Sequence, residues 1–231
     1  MKKRICIVGN SVTIRVRPKI EYELESIYAA FLKESLSSEW EIILKGQSRY
    51  LSYELKNDIA ELIDIDADLY VINVGCVDAP HREIPLWYSD ILFKRNRKWL
   101  FPVTNLVYNL IKRFNLRKIL VEKRGYKPWV TSIDFEQNML SSIKLLKEAT
   151  SCKIVLIGIN NGNERLENEL PGILKQYQLY NKILSKVSSK TGALFIDVSN
   201  LNHIDHFPDG VHYNIPGHKL IADKILSIVN E

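Results

Sequence analysis

Residue types able to do covalent chemistry gather at two places far apart in this chain. Near the amino end the apolar run Ile5 to Val8 breaks at Gly9-Asn10-Ser11, and near the carboxyl end Asp209 stands three residues before His212. A serine placed directly after a buried strand sits on a tight turn with its hydroxyl exposed. That hydroxyl is a poor nucleophile until a base removes its proton, and an imidazole base needs a third group to fix which nitrogen carries hydrogen. Asp209 and His212 supply both if the turn between them sets the two side chains on one side, and Gly210 eases such a turn. Ser11 is therefore the candidate nucleophile, His212 the base and Asp209 its orienter. The same residue types have commoner uses, because a serine after a strand often caps a helix and Asp-x-x-His is often a cap beside a surface imidazole. His203, Asp205, His206 and His212 can also be read as metal ligands, but their spacing fits no common site, so neither a metal nor a cofactor is expected.

The elements that must position these groups follow from hydrophobic periodicity. Five short runs rich in Ile and Val read as strands: Arg4 to Val8, Glu41 to Leu44, Leu69 to Val74, Lys153 to Ile157 and Ala193 to Val198. Between and after them, apolar residues recur at helical spacing over about 20 to 36, 54 to 63, 135 to 149, 173 to 190 and 214 to 229. Alternating strands and helices predict an α/β fold, a parallel sheet covered on both faces. In such sheets reactive groups collect beyond the carboxyl ends of the strands, and a strand order of 2-1-3-4-5 brings Ser11 and His212 to one edge. With 231 residues, one domain spanning 1–231 is expected.

Residues 81 to 130 interrupt this rhythm and are too long for an ordinary connection, so a helical insertion or lid after the third strand is expected there. It holds twelve Lys and Arg against three acidic residues, a net +9, which leaves the remainder of the chain at −4. Trp87, Trp99 and Trp129 also lie in it. An anionic polysaccharide or a membrane surface is the expected neighbour of so basic a segment. Nucleic acid is not, since no binding motif is recognisable. Within it, Val103, Leu106, Val107, Leu110, Ile111 and Phe114 form one helical stripe after Pro102, the pattern of an ordinary core-facing helix and equally of a membrane-surface helix. The apolar run at the amino end is too short for a signal-peptide core, and no run approaches the roughly 18 apolar residues of a spanning helix. Cys6, Cys76 and Cys152 are odd in number and sit in or beside apolar runs, as reduced core thiols do. The expected location is the cytoplasm, with the inner face of the membrane as a peripheral site.

At these residues the chain resembles the SGNH or GDSL hydrolases. Gly9-Asn10-Ser11 is similar to that family's first block, Gly46 to its second and Gly75-Cys76-Val77-Asp78 to its third. Asp209-Gly210-Val211-His212 with the following Tyr213 to Asp223 is similar to its last block, which is the most specific of the four. The resemblance covers most of the chain outside 81 to 130. It implies a flavodoxin-like three-layer sandwich, with ester hydrolysis or acyl transfer through an acyl-serine. In it Ser11, Asp209 and His212 match nucleophile, orienter and base, and the backbone N–H groups of Ser11 and Gly46 hold the oxyanion. Two positions depart from the family pattern: Asn10 stands for an aspartate, and Val77 stands for an asparagine that donates to the oxyanion. Losing such a donor typically costs about 10²- to 10³-fold in rate. Gln47, Arg82 and, within its strand, Asn73 are the candidates to make it good, and Gln47, Asp78 and Arg82 are the expected substrate contacts. The resemblance implies a small acyl ester as substrate, such as an O-acetyl group on a sugar or a surface-polysaccharide precursor. An acyltransferase to a sugar hydroxyl, or a catalytically weak binding or scaffold protein in polysaccharide biosynthesis, are the alternatives.

Overall fold

Five short apolar runs pair edge to edge, the three inner ones buried almost throughout and so in need of cover on both faces, the two at the edges only partly covered. In a computed structural model, which describes residues 2–93 and 97–230, they are β1 (Lys3–Gly9), β2 (Trp40–Gly46), β3 (Leu69–Asn73), β4 (Lys153–Ile157) and β5 (Leu194–Ile196). All pairs are parallel, in the order β2-β1-β3-β4-β5. The register sets Gly9 opposite both Gly46 and Asn73, so the carboxyl ends of the three strands before the insertion finish level.

The helices are α1 (Ser11–Ile14), α2 (Tyr28–Leu36), α3 (Ser52–Asn57), α4 (Ile59–Ile65), α5 (Leu86–Phe93), α6 (Phe101–Arg113), α7 (Arg117–Lys123), α8 (Ser132–Ala149), α9 (Glu164–Glu169), α10 (Ile173–Thr191), α11 (His203–His206) and α12 (Ile215–Val229). α2 packs on α12, whereas α8 packs on α3, α4 and α10, which gives a sheet covered by two helical layers. The core between them includes the fully buried Tyr28, Tyr70, Phe135, Tyr180 and Tyr213.

Three sequence expectations change. The helix expected from about 20 begins at Tyr28, because Tyr22 and Leu24 are exposed and offer the core no face. The helix expected over 54 to 63 is two, α3 and α4, meeting at Asp58, whose carboxylate accepts a hydrogen bond from the Tyr50 hydroxyl at 2.7 Å. The third change concerns 81 to 130, which forms α5, α6 and α7 around a small core of Ile84, Leu92 and Ile111. Within α6 that core takes only Thr104 and Ile111 as buried residues. Val103, Leu106 and Phe114 remain 61–63% exposed, so the apolar stripe faces outward rather than into the protein. Lys94 and Arg95 of the basic segment lie outside the described residues. Among the described residues no helix is long and apolar enough to cross a membrane.

One buried polar contact joins the last helix to the site. His218 on α12 has no exposed surface, donates from Nε2 to the Arg15 carbonyl at 3.0 Å and accepts at Nδ1 from the Tyr28 N–H at 3.3 Å. Burial pulls its pKa down to about 4 from 6.5, so the folded state holds it neutral. The unfolded chain takes up the proton below pH 6.5 and the folded chain only near pH 4, so this contribution to stability is complete above that window and is lost as pH falls through it. At about 1.4 kcal/mol per pKa unit the loss amounts to about 3 kcal/mol. Asp78, pushed up to about 6 by burial, acts with the opposite sign, so the comparison must be a difference. Urea unfolding of wild type and His218→Gln should show a stability gap that is widest near pH 7 and narrows by about that amount by pH 4.

Candidate active site

Ser11 owes its position to the two residues before it. β1 ends at Gly9, and Asn10 then caps α1, its fully buried side chain accepting from the Val12 N–H at 3.0 Å and donating to the Asn73 carbonyl at 3.3 Å. The asparagine thus holds the turn by both its oxygen and its nitrogen. Ser11 is the first residue of α1, where a backbone N–H has no intrahelical acceptor.

His212 and Asp209 arrive on the loop between α11 and α12. Phe207 and Tyr213, both buried, anchor its two ends, and Gly210 turns it in the left-handed region at φ +80°. A side chain there would also collide with Asn163, since an added Cβ would lie 2.5 Å from Asn163 Oδ1. The segment after β4 grips the loop from the other side: Asn160 donates to the Val211 carbonyl at 2.8 Å, and Arg165 donates to the Asp209 carbonyl at 2.6 Å.

This seating makes a chain of hydrogen bonds. Asp209 Oδ1 accepts the backbone N–H groups of Val211 and His212 at 2.9 and 2.7 Å, and Oδ2 accepts from His212 Nδ1 at 2.8 Å. With Nδ1 carrying the hydrogen, Nε2 is left to accept, and the Ser11 hydroxyl lies 3.0 Å from it. Burial works to raise the Asp209 carboxyl, but the hydrogen bond and charge of His212 together with the two backbone donors outweigh it and hold it below its ordinary value. The carboxylate therefore stays ionised beside the imidazole, which suits it to stabilise an imidazolium. Arg17 approaches the same carboxylate at 3.8 Å while bonded to Glu23 at 2.8 Å.

These groups open into a cleft of about 290 Å³ at the carboxyl edge of the sheet. Its walls come from the site loops (Cys76, Val77, Val211), from the insertion (Arg82, Phe93, Tyr108, Arg117, Trp129) and from the β4 side (Arg165, Glu169, Tyr177). A larger hollow lined by Lys2, Arg4, Lys33 and Trp40 lies at the opposite ends of the strands, away from any serine-histidine pair. Cys76 is a poor rival nucleophile, since burial pushes its thiol up to about 12. The side chains of the alternative ligand set are otherwise engaged: His206 Nδ1 lies 3.1 Å from the Asn202 carbonyl and Asp205 accepts from the Asn202 amide at 2.9 Å. Among the described residues no group of three or more His, Cys, Asp or Glu is arranged to hold a metal ion.

Several expected contacts fall elsewhere. Asp78 is completely buried and accepts the Ser52 N–H at 2.8 Å, so it braces the start of α3 and does not line the cleft. Gln47 is exposed and also outside the cleft lining. Asn73 is buried beneath Asn10 and does not line the cleft either. Gly46 packs against Ile14, whose Cγ2 would lie 2.0 Å from an added Cβ, and it too is absent from the cleft wall. From that loop the residue reaching the cleft is Arg49, in the left-handed region at φ +64°, a conformation that costs a residue with a Cβ about 1–3 kcal/mol. Arg82 does line the cleft, and it donates to the Val77 carbonyl at 2.8 Å. Asn160, Arg165 and Arg49 escaped the sequence reading; Asn160-Asn161-Gly162-Asn163, a polar turn at the end of the fourth strand, was the one available signal for the first two.

No family model matches the sequence, and no curated protein matches it. Solved structures do resemble the fold. A lipase/acylhydrolase from Enterococcus faecalis superimposes with a TM-score of 0.65 at 18% identity, covering 98% of this chain and 95% of that one. An acetyl xylan esterase gives 0.64 at 17% identity over 98% and 99% of the two chains. The acetylxylan esterase of Geobacillus stearothermophilus gives 0.61 at 18% identity over 97% and 93%, and structures of its catalytic mutants, one at a serine and one at a histidine, match equally well. The chain therefore shares the α/β fold of these esterases and of the lipase/acylhydrolase.

Proposed function

We propose that the protein is a serine esterase that removes a small acyl group, such as O-acetyl, from a carbohydrate or surface-polysaccharide precursor. The observation that carries this reading is the continuous hydrogen-bonded path Ser11 to His212 to Asp209, open to a cleft. His212 Nε2 takes the Ser11 proton as Oγ attacks the ester carbonyl carbon. The Ser11 N–H is positioned to meet the oxyanion, and the imidazolium beside ionised Asp209 returns its proton to the leaving sugar oxygen. Water, activated by the same imidazole, then splits the acyl-serine, releasing the acid and restoring Ser11. In a transferase a second sugar hydroxyl would take the place of that water. The fold shared with acetylxylan esterases supports a carbohydrate ester as the substrate class.

The outward stripe of α6 supports a second element of function, attachment to an anionic lipid surface. Trp99 is 78% exposed, and it extends the line of Val103, Leu106 and Phe114. Lys98 and Arg113 stand near its two ends in the sequence. Aromatic and aliphatic side chains bordered by cations suit the boundary between acyl chains and anionic headgroups. A second copy of this chain is a poor occupant, because it would set two segments of net +9 face to face.

Three measurements test these readings. Ser11→Ala should lose at least about 10³-fold activity on O-acetylated xylose or an aryl acetate, and Asp209→Asn about 10²- to 10⁴-fold, with unchanged melting temperatures; activity retained in Ser11→Ala removes the serine from the reaction. Mass analysis of products made with added acceptor sugar separates hydrolysis from transfer. In sedimentation assays the protein should follow vesicles containing phosphatidylserine and not those of phosphatidylcholine alone, and Leu106→Glu should abolish this. Equal behaviour toward both vesicles overturns the surface reading.

A further inference from the structure

The cleft next to Ser11 contains more positive charge than its own carboxylates neutralise, and the excess sits on two residues. Four arginines line it, of which Arg117 pairs with Glu83 at 3.2 Å and with Glu169 at 2.6 Å, and Arg165 pairs with Glu169. Arg49 and Arg82 differ. Among the described residues no carboxylate lies within ion-pairing distance of either. Glu83, the acidic residue next to Arg82 in sequence, pairs through Oε1 with Arg117 and with the Tyr108 hydroxyl at 3.4 Å and acts on Arg82 only through space, its buried Oε2 having no hydrogen-bond partner. Asp90 and Glu54 act on Arg49 only through space.

These two guanidinium groups are held in place rather than left to swing. The carbon centre of Arg82 lies 4.1 Å from the centre of the Trp129 ring, and that of Arg49 lies 4.6 Å from the same ring and 4.4 Å from that of Phe93. Trp129 is itself fixed by donating Nε1–H to the Ile84 carbonyl at 2.9 Å. Arg82 is tied to the Val77 carbonyl, and Arg49 to the carbonyl and hydroxyl of Ser89, while the Nε atom of each is buried without a partner. Stacking offsets part of the desolvation of a guanidinium but leaves its charge in place. Burial, and for Arg49 the nearby charge of Arg82, weaken the hold of these groups on their protons more than the through-space pull of Glu83 on Arg82 and of Asp90 and Glu54 on Arg49 restores it.

We propose that Arg49, Trp129 and Arg82 form a subsite for an anionic group on the sugar that carries the ester, a carboxylate or a phosphate. The identity of the neighbouring reacting group rests on the esterase reading; the anion subsite does not. A negatively charged oxygen group entering the cleft supplies a counterion to both arginines, which stacking on Trp129 holds in place. The subsite thereby selects acidic over neutral acylated sugars at the specificity level, with Ser11 and His212 unchanged. It also gives the strained backbone of Arg49 a use, since the left-handed turn is what carries that side chain from the loop after β2 onto the tryptophan.

The test uses the full chain in two arms. In the binding arm, glucuronate and glucose 6-phosphate are added separately to wild type and to Ser11→Ala, with xylose as the neutral control. A melting temperature raised by one or both anions and not by xylose supports the subsite, and comparing the two anions tells carboxylate from phosphate as the preferred group. Arg49→Met and Arg82→Met should each remove the shift; should Arg82→Met fail to fold, Arg82→Gln keeps a donor for the Val77 carbonyl and removes the charge. In the kinetic arm, the ratio of kcat/KM on an O-acetylated uronate to that on O-acetylated xylose should fall roughly tenfold or more in each variant, through KM. Anions without effect on wild type, or a substrate ratio that the variants leave unchanged, overturn the subsite even if esters are cleaved. Anion binding that depends on the arginines, in a protein that cleaves no ester, overturns the esterase reading and leaves the subsite standing.

Discussion

The contact on which the rest depends joins residues 201 positions apart in sequence, the hydrogen bond between the Ser11 hydroxyl and His212 Nε2. Neither partner gains its chemical character locally. Ser11 is set by the asparagine-capped turn at the end of β1, and His212 by a loop whose ends are pinned by buried aromatic rings. What unites them is that every strand runs parallel, so every strand finishes on the same edge, and the last helix returns across that edge to pack on α2. His218 reinforces the return, because one imidazole satisfies a donor on α2 and an acceptor in the segment just after α1. A buried donor and acceptor left without that ring would each carry a desolvation penalty, so the packing of α12 and the alignment of His212 are coupled through backbone groups near the site.

The insertion after β3 has two faces with unlike physics. Inward, it closes the cleft with Phe93, Tyr108 and Trp129 and brings Arg82 beside Arg49. Outward, α6 leaves Val103, Leu106 and Phe114 exposed, because only the edge of its apolar stripe at Ile111 reaches the small core with Ile84 and Leu92. An exposed apolar surface of this kind beside a concentration of Lys and Arg calls for a partner that is apolar and anionic together.

The oxyanion side of the site is where the chain departs furthest from the family it resembles. Val77 lines the cleft without a donor to offer, and Gly46 is occupied in letting Ile14 pack under the end of β2. Arg82 stands nearest in kind to a replacement, since its guanidinium is tied to the Val77 carbonyl itself. Its charge links two properties of the cleft, because the group that would steady a developing negative charge also raises the affinity for an anionic substrate.

The five strands could be located, and Ser11, Asp209 and His212 named as candidates, from the sequence, because strand periodicity, turn residues and side-chain chemistry are local properties; the strand order came with the family resemblance. The sequence could not say that α6 turns its apolar stripe outward, since a helical period is the same whether the stripe meets a core or water. Nor could it place Asp78 and Gly46 behind the cleft and Arg49 within it, because whether a polar residue at a strand end faces the site or the interior depends on a few degrees of backbone and on neighbours far away in sequence. Asn160 and Arg165, which hold the Asp209 loop from across the sheet edge, were invisible for the same reason. Residue identity determined what chemistry was available here; only the packing of distant elements decided which groups meet, because hydrogen bonds and ion pairs act over a few ångströms and sequence separation carries no distance.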